Sequence, residues 1–342
     1  MPPPQPRDYA VVVGINRYGD GSFLNPLDGP KNDVRHFVDW LVSPDGGHVP
    51  AANVDPFLLT SDDNGLKPKA GDIVEAIKNL LALAPADERI GRRLYIFLAG
   101  HGVGPDLDDA GLLTAEATED VPTYVEGRRY ANLFRGRAVF EEIVLVMDCC
   151  RDFDGELPDP VFPFKRKIDA GGANKVKYFY AYATGFGKSA REQAFGDEVG
   201  GIFSHVLLAG LNGGAVDGDG RITGPSLERY VRRKLKALLP PGTEQPTDMR
   251  CDPDLVLGEG YAPATVSVEV TASVPHDRLV VLYGDRFKPV ENAAEDLGGG
   301  KYRIELPIGK TYVFQLVDAG NALLRQNGRA VEDVEEVIHV EL

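Results

Sequence analysis

Four short runs of almost unbroken apolar residues constrain this chain most: "YAVVVGI" (9–15), "LYIFLA" (94–99), "IVLVM" (143–147) and "YFYAYA" (178–183). Each is short and lacks polar alternation, the pattern of a strand covered on both faces. Amphipathic stretches separate them. "PKNDVRHFVDWLV" (30–42) places Val34, Phe37, Val38 and Leu41 on one side, and "GDIVEAIKNLLAL" (71–83) does the same with Ile73, Ile77, Leu80 and Leu81. Two later helices are expected over "IFSHVLLAGL" (202–211) and "SLERYVRRKLKALL" (226–239). This alternation predicts an α/β fold with a mostly parallel sheet and helices on both faces. Sites in such sheets form beyond the carboxyl ends of the strands.

Past "YAPA" (261–264) the pattern changes to apolar–polar alternation: "TVSVEVTAS" (265–273), "RLVVLYG" (278–284), "KYRIELP" (301–307), "TYVFQLV" (311–317) and "EVIHVEL" (336–342). Turn residues such as "LGGGK" and "PIGK" divide these runs, which predicts a small antiparallel all-β, sandwich-like domain. The expected division is therefore 1–260 and 261–342. Two stretches read as irregular, 104–127 and the Pro-, Gly- and charge-rich 154–175; loops this long are commonly functional or disordered.

Composition narrows the function. With 342 residues, 43% of them hydrophobic, the chain can bury a sizeable core. No apolar run approaches the ~20 residues that span a bilayer, so no membrane partner is expected. A net charge of −15 argues against nucleic-acid binding, which needs basic surface. The opening "MPPPQPRDYA" has neither a signal nor a transit pattern, and the three cysteines are no disulfide framework. A reducing, cytoplasmic setting is expected.

Two strand ends carry the chemistry. "VLVMDCCRDF" (144–153) ends a strand in Asp148-Cys149-Cys150, and "LYIFLAGHGVG" (94–104) ends another in Gly-His-Gly. Taken alone, His101 could be a turn histidine and the cysteines buried inert thiols. The pair is more informative: His101 and Cys150 stand 49 residues apart, each closing an apolar strand of one parallel sheet. A free thiol has a pKa near ~8.5, and a neighbouring imidazolium lowers it. The imidazole can then protonate a leaving amine, and the N–H groups of Gly102 and Cys150 can hold an oxyanion. Strand alternation aims Asp148 and Cys150 one way and Cys149 the other. Cys150 is thus the expected nucleophile and Cys149 a packing residue. "AVDGDGRITGPSLE" (215–228) resembles an EF-hand loop but has Ser226 where the bidentate acid belongs, so it reads as a polar turn entering a helix.

Together "VVVGINRY", "LDGPKNDV" (27–34), "FLAGHG" (97–102), "VMDCCRDF" (146–153), "YAYATGFGKSAREQ" (180–193) and "GGIFSHVLLAGL" (200–211) resemble the caspase-like cysteine peptidases, nearest the metacaspase and paracaspase branches, over residues 8–258. The resemblance implies a caspase-like α/β fold and a His101–Cys150 dyad that hydrolyses peptides through a thioester. It also departs from those families. Arg151-Asp152-Phe153 replaces the His-Ser-Gly of metacaspases, Asp148-Cys149-Cys150 replaces the caspase Gln-Ala-Cys, and Pro30 stands where metacaspases often carry a cysteine. The loss of the caspase context removes the usual preference for aspartate.

Asp148 is expected beside the nucleophile, by the same resemblance Asp33 lines the same specificity pocket, and a third wall is open over Ser189 to Glu192 in "KSARE", with Glu192 the candidate acid. Carboxylates there suit a guanidinium, which predicts cleavage after arginine or lysine and protein or peptide substrates with exposed basic residues. Lys165, Arg166 and Lys167 in the 154–175 linker are then candidates for self-cleavage. No cofactor is required; the acidic 104–120 loop leaves calcium open, though no spacing fixes ligands for a metal. The β domain is expected to cover the site, dimerise or recruit a regulatory protein. The rival reading is a catalytically inactive scaffold that binds a partner through that domain.

Overall fold

A computed structural model describes residues 7–19, 23–62, 64, 66–84, 88–152, 156–165, 167–284, 287–290, 294–331 and 337–342. Its contacts divide the chain into two compact units, Met1–Ala215 with Thr223–Gly258, and Val216–Ile222 with Glu259–Leu342. The small division of the second unit means that the EF-hand-like stretch does not belong wholly to the first.

The elements up to residue 259 are, in chain order, β1 (Tyr9–Gly14), α1 (Pro30–Val42), β2 (Leu58–Thr60), α2 (Ala70–Leu81), β3 (Gly91–Ala99), β4 (Gly102–Val103), β5 (Gly111–Leu113), β6 (Tyr124–Glu126), α3 (Gly127–Arg137), β7 (Phe140–Asp148), α4 (Ala170–Ala173), β8 (Lys177–Tyr182), β9 (Glu192–Phe195), β10 (Glu198–Gly201), α5 (Ile202–Ala209), β11 (Arg221–Thr223), α6 (Gly224–Leu238), β12 (Asp248–Cys251) and β13 (Val256–Glu259). The central sheet runs β2-β1-β3-β7-β8-β12. Its first five strands are parallel and β12 closes the edge antiparallel to β8.

The four apolar runs are β1, β3, β7 and β8, and their continuous hydrophobicity has the expected cause: both faces are covered. On one face Val11, Val13, Ile96, Leu98, Ile143, Leu145 and Met147 meet Ile73, Ile77 and Leu80 of α2 and Tyr130, Leu133 and Phe134 of α3 in one core. On the other, Phe37 of α1 stacks on Phe97 at 4.5 Å and Trp40 meets Tyr95 edge-on at 5.8 Å. Helices α5 and α6 complete that layer. The register puts Gly14, Ala99 and Asp148 in one row across the sheet, so the strands end together at a single rim. The order β2-β1-β3 reverses direction beside β1, where the connections to either side part and open a crevice.

The irregular stretches are partly ordered by pairing. β4, β5 and β6 form a small antiparallel sheet within and beside the 104–127 stretch. The linker carries only the short α4 among its described residues, with Asp169 capping it through a bond from Gly172 N at 3.1 Å. The EF-hand-like stretch leads into α6, where Thr223 and Ser226 form a reciprocal cap.

The second unit contains β14 (Thr265–Thr271), β15 (Arg278–Tyr283), β16 (Lys288–Pro289), β17 (Glu295–Gly298), β18 (Lys301–Pro307), β19 (Lys310–Val317), β20 (Leu323–Val331) and β21 (Val337–Glu341). They form two four-stranded sheets, β17-β18-β14-β21 and β16-β15-β19-β20, whose inward residues, among them Val268, Val281, Phe314 and Ile338, share one core. All pairs are antiparallel except β14 with β21, which is parallel. The expected wholly antiparallel order fails there because these are the first and last strands, and the intervening chain is long enough for a crossover.

Candidate active site

The loop after β1 is shaped by its own polar groups. Asn16 accepts from Lys31 N at 2.7 Å and donates to Leu27 O at 2.9 Å, while Ser61 Oγ accepts from Asn16 N and Arg17 N. These bonds hold Tyr18 and Asn25 over the end of β3. There Tyr18 Oη accepts from His101 N at 2.8 Å, and the two rings pack at 5.2 Å. His101 Nε2 lies 2.8 Å from Asn25 O. A carbonyl oxygen offers only lone pairs, so this contact requires a proton on Nε2. In the neutral ring Nδ1 is then the acceptor.

Cys150 follows the end of β7. Its Sγ accepts from Ala190 N at 3.3 Å, and the 186–190 segment is held alongside by bonds from Arg151 N to Lys188 O and from Gly187 N to Arg151 O. His101 and Cys150 both line a cavity of about 720 Å³, together with Gly102, Phe23, Asp152 and Phe186. Gly102 is required there by close approach: a Cβ would stand 2.5 Å from Cys150 O and 2.6 Å from Cys149 Cβ. Leu113 N bonds to His101 O at 2.9 Å, which makes Gly102 the non-hydrogen-bonded position of the β4–β5 ladder. Its N–H therefore points away from β5.

Cys149 faces the opposite way, into the core beneath α2 and α3, and burial holds its thiol well above the ordinary range. The Cys150 thiol is also pushed up, to about 11, by burial first and by Asp152 and Asp148, against the Ala190 N–H. The expectation of a lowered nucleophile pKa is thus corrected. Two nearby acids and a partly dry site outweigh one N–H donor. All three cysteines are free.

The three acids expected around a specificity pocket come together. Asp33, in the first turn of α1, accepts from Gly201 N at 3.0 and 3.1 Å. Asp148 accepts from Ser204 N at 3.0 Å and Ser204 Oγ at 2.5 Å. Glu192 accepts from Gly29 N at 3.2 Å and Asp28 N at 3.4 Å. Gly201 separates two of them: a Cβ there would lie 2.2 Å from Asp148 Oδ2 and 3.2 Å from Asp33 Oδ2. Asp33 is raised to about 9, by burial and then by Asp148, and Asp148 to about 6, by burial. Among the described residues no lysine or arginine pairs with any of the three. None of them lines the dyad cavity itself. Asp148 stands two residues before Cys150 and Glu192 two residues after Ala190, whereas Asp33 lines a separate cavity of about 510 Å³ with His36, Trp40 and His205.

Arg151 went unread as a structural residue. Only 1% exposed, it donates to Asp109 O at 3.0 Å, Leu107 O at 2.9 Å, Thr184 O at 3.4 Å and Asp248 Oδ2 at 3.2 Å, and it covers the Tyr182 ring at 4.9 Å. Its neighbour Asp109 accepts from Arg128 N and Arg129 N at the start of α3. Tyr18 and Asn25 were missed too; "INRY" (15–18), immediately after the first strand, was the available signal for Tyr18, and Asn25, which acts through its backbone oxygen, left none.

Lys165 and Lys167 lie far from this cavity, against the end of α3, and Arg166 lies outside the described residues. The described residues contain no group of three or more His, Cys, Asp or Glu arranged to hold a metal, and no helix long and apolar enough to cross a membrane.

No protein-family model matches the chain. It is similar, at 26% identity over 346 residues, to a protein named a probable protease from a Desulfuromonadales bacterium. The match covers 88% of this chain and 39% of that protein, so the chain spans well under half of its relative's length.

Proposed function

We propose that this chain is a caspase-like cysteine endopeptidase that cuts after arginine or lysine. The observation that carries the reading is the shared cavity: His101 and Cys150 reach it from the ends of neighbouring parallel strands. The likeness to a probable protease supports peptide hydrolysis.

The thiol keeps its proton at rest, so the imidazole acts as general base during attack. With Nε2–H on Asn25 O, Nδ1 takes the proton from Cys150 Sγ as sulfur bonds to the substrate carbonyl carbon. The N–H groups of Gly102 and Cys150 receive the developing oxyanion. Collapse breaks the C–N bond, and Nδ1–H protonates the departing amine. Water then attacks the thioester, giving up a proton to Nδ1, and the thiol re-forms as the acid leaves.

The acid cluster supports the choice of substrate. Buried carboxylates without a cation favour a partner that supplies one, and a guanidinium offers several donors in a planar fork. Proteins with exposed basic segments are thus the proposed substrates. The linker is one such segment, and self-cleavage near 165–167 belongs to this reading. The proposal also keeps the second unit as a surface for a regulatory protein; it requires no cofactor and leaves calcium to the assay, since the described residues hold no group arranged for a metal.

A peptide library varied at the residue before the cut, run with and without calcium, tests this. Wild type should release products after arginine and lysine. Cys150→Ala and His101→Ala should each lose about 10³-fold or more in kcat/KM while remaining folded by circular dichroism. Efficient cleavage after aspartate with none after arginine, or an active Cys150→Ala, would sink the assignment; no turnover of any peptide would favour the scaffold.

A further inference from the structure

The cavity of about 510 Å³ beside the acid cluster shares no residue with the one that holds the dyad. It is bounded by α1, α5 and the β9–β10 hairpin, and Asp33 and Ser43 both line it. These two stand ten residues apart along α1 and its cap, about 15 Å at ~1.5 Å per residue. A slot of that length takes about four or five residues of extended chain at ~3.3 Å each.

Its walls are held by contacts of their own. Asn32 Nδ2 donates to Val199 O at 2.8 Å, Arg35 pairs with Glu198, and His36 Nε2 lies 3.2 Å from the same carboxylate. Phe195 stacks flat on His205, with ring centroids 3.7 Å apart. The hairpin is thus pinned to both helices.

The lining carries one sign of charge. Asp33, Asp39 and Glu198 belong to it, and no lysine or arginine does among the described residues. Arg35 offsets Glu198, but the Asp39 carboxylate meets no cation among the described residues. His205 adds no positive charge at neutral pH, because burial and then His36 hold it below the ordinary imidazole range. Further along α1, Trp40 lines the same cavity; it is 5% exposed, and its indole N–H is buried without an acceptor. A buried donor left unpaired costs free energy that an incoming oxygen recovers. The cavity therefore calls for a cation and a carbonyl on one occupant. A peptide with basic side chains supplies both, and the net charge of −15 draws such segments in.

We propose that this cavity is a docking groove for an extended basic segment of a protein, bound apart from any residue that is cut. An arginine or lysine side chain sits between Asp39 and Glu198 with its methylenes on Phe195 and Leu208, and a peptide carbonyl accepts from Trp40 Nε1. Asp33 borders both the groove and the acid cluster, with Gly200 and Gly201 packed against it: a Cβ on Gly200 would stand 2.9 Å from Asp33 Oδ1. Docking here forms and breaks no covalent bond, so it goes beyond the peptidase reading and does not depend on it.

Trp40 is the only tryptophan of the chain, and its emission gives a readout separate from turnover. Full-length Cys150→Ala is titrated at neutral pH with an acetylated, amidated pentapeptide containing two arginines, and with its two-glutamate counterpart. The arginine peptide should shift the emission saturably, and the glutamate peptide should not. Adding Asp39→Asn should weaken binding about fivefold, near the upper end for a partly exposed ion pair. Adding Asp148→Asn instead should change it by less than about twofold.

No emission change with the arginine peptide, or equal binding of the glutamate peptide, overturns the groove. Weakening by Asp148→Asn and not by Asp39→Asn puts the peptide in the acid cluster alone and overturns it as well. Spermidine binding as tightly as the peptide overturns the choice of occupant. Wild type assayed in parallel on a short arginine substrate keeps the two readings apart. Groove binding without turnover sinks the peptidase and leaves the groove, and turnover without groove binding does the reverse.

Discussion

The cavity of His101 and Cys150 and the cluster of Asp33, Asp148 and Glu192 share two stretches of chain, residues 148–152 and 186–192, with His101 added after β3 and Asp33 from α1, yet they are built in opposite ways. The cavity is lined by loop residues beyond the strand ends, with Phe23 and Phe186 43% and 49% exposed at its wall. The cluster sits within the strand and helix ends, its two aspartates 5% and 7% exposed and bonded to Gly201 and Ser204. The thiol and imidazole stand where solvent reaches them, while the acids sit where water screens them least, which raises Asp33 to about 9 and Asp148 to about 6. Under the proposed function that division would separate two tasks: the loops would bring the scissile bond to sulfur, and the buried acids would select the side chain beside it.

The comparison can be broken first at Asp148. Asp148→Asn keeps an acceptor for Ser204 but removes one charge. It should lower kcat/KM on arginine peptides by about 100-fold, roughly 2.7 kcal/mol. Peptides with a neutral residue before the cut should change little. An equal loss on both peptide sets would mean that Asp148 serves the nucleophile rather than selection.

A smaller effect should follow pH. With Asp33 raised to about 9 and Asp148 to about 6, the empty cluster gains negative charge from pH 6 to 9. A bound cation favours the ionised acids, so proton release accompanies binding. KM for arginine peptides should therefore fall as pH rises, by up to about tenfold per unit for each proton released. Neutral peptides should lack this slope, and Asp33→Asn should flatten it. A slope unchanged in Asp33→Asn would assign the titration to another group.

The smallest effect belongs to the neighbouring thiol. Cys149→Ala should keep kcat/KM within about twofold and cost about 1 kcal/mol of stability by denaturant unfolding, as a small core truncation does. A variant as inactive as Cys150→Ala would reverse the roles of the two cysteines.

The sheet was legible because its strands are buried on both faces and so read as continuous apolar runs. β2 and β12, both at edges, gave weaker patterns: Leu58–Thr60 is too short, and Asp248–Cys251 mixes charge with apolar residues. β20 was missed for a related reason, since Leu323–Ala330 is exposed throughout and shows no inward alternation. The two thiols could be told apart by strand parity, because β7 keeps its register to Asp148. The acid cluster was readable in its residues but not in its closure, which depends on Gly201 and Ser204 arriving from another element. The raised Cys150 thiol was likewise hidden, because the outcome turns on how Asp152, Asp148 and Ala190 converge. The linker shows the limit of composition: its prolines and glycines leave only the short α4 among its described residues, but Phe162 and Phe164 still dock it.

Arg151 carries a consequence for how this scaffold can diverge. Three of its four partners are backbone oxygens, those of Leu107, Asp109 and Thr184. An anchor that reads carbonyl groups is indifferent to the side chains around it. Leu107 can therefore change its side chain and still deliver the same carbonyl to the residue after the nucleophile, whereas Asp109 is held by its own bonds from Arg128 N and Arg129 N. What the 104–109 loop cannot change without loss is its length: one inserted or deleted residue between Leu107 and Asp109 would shift an oxygen away from a guanidinium that has no water to turn to.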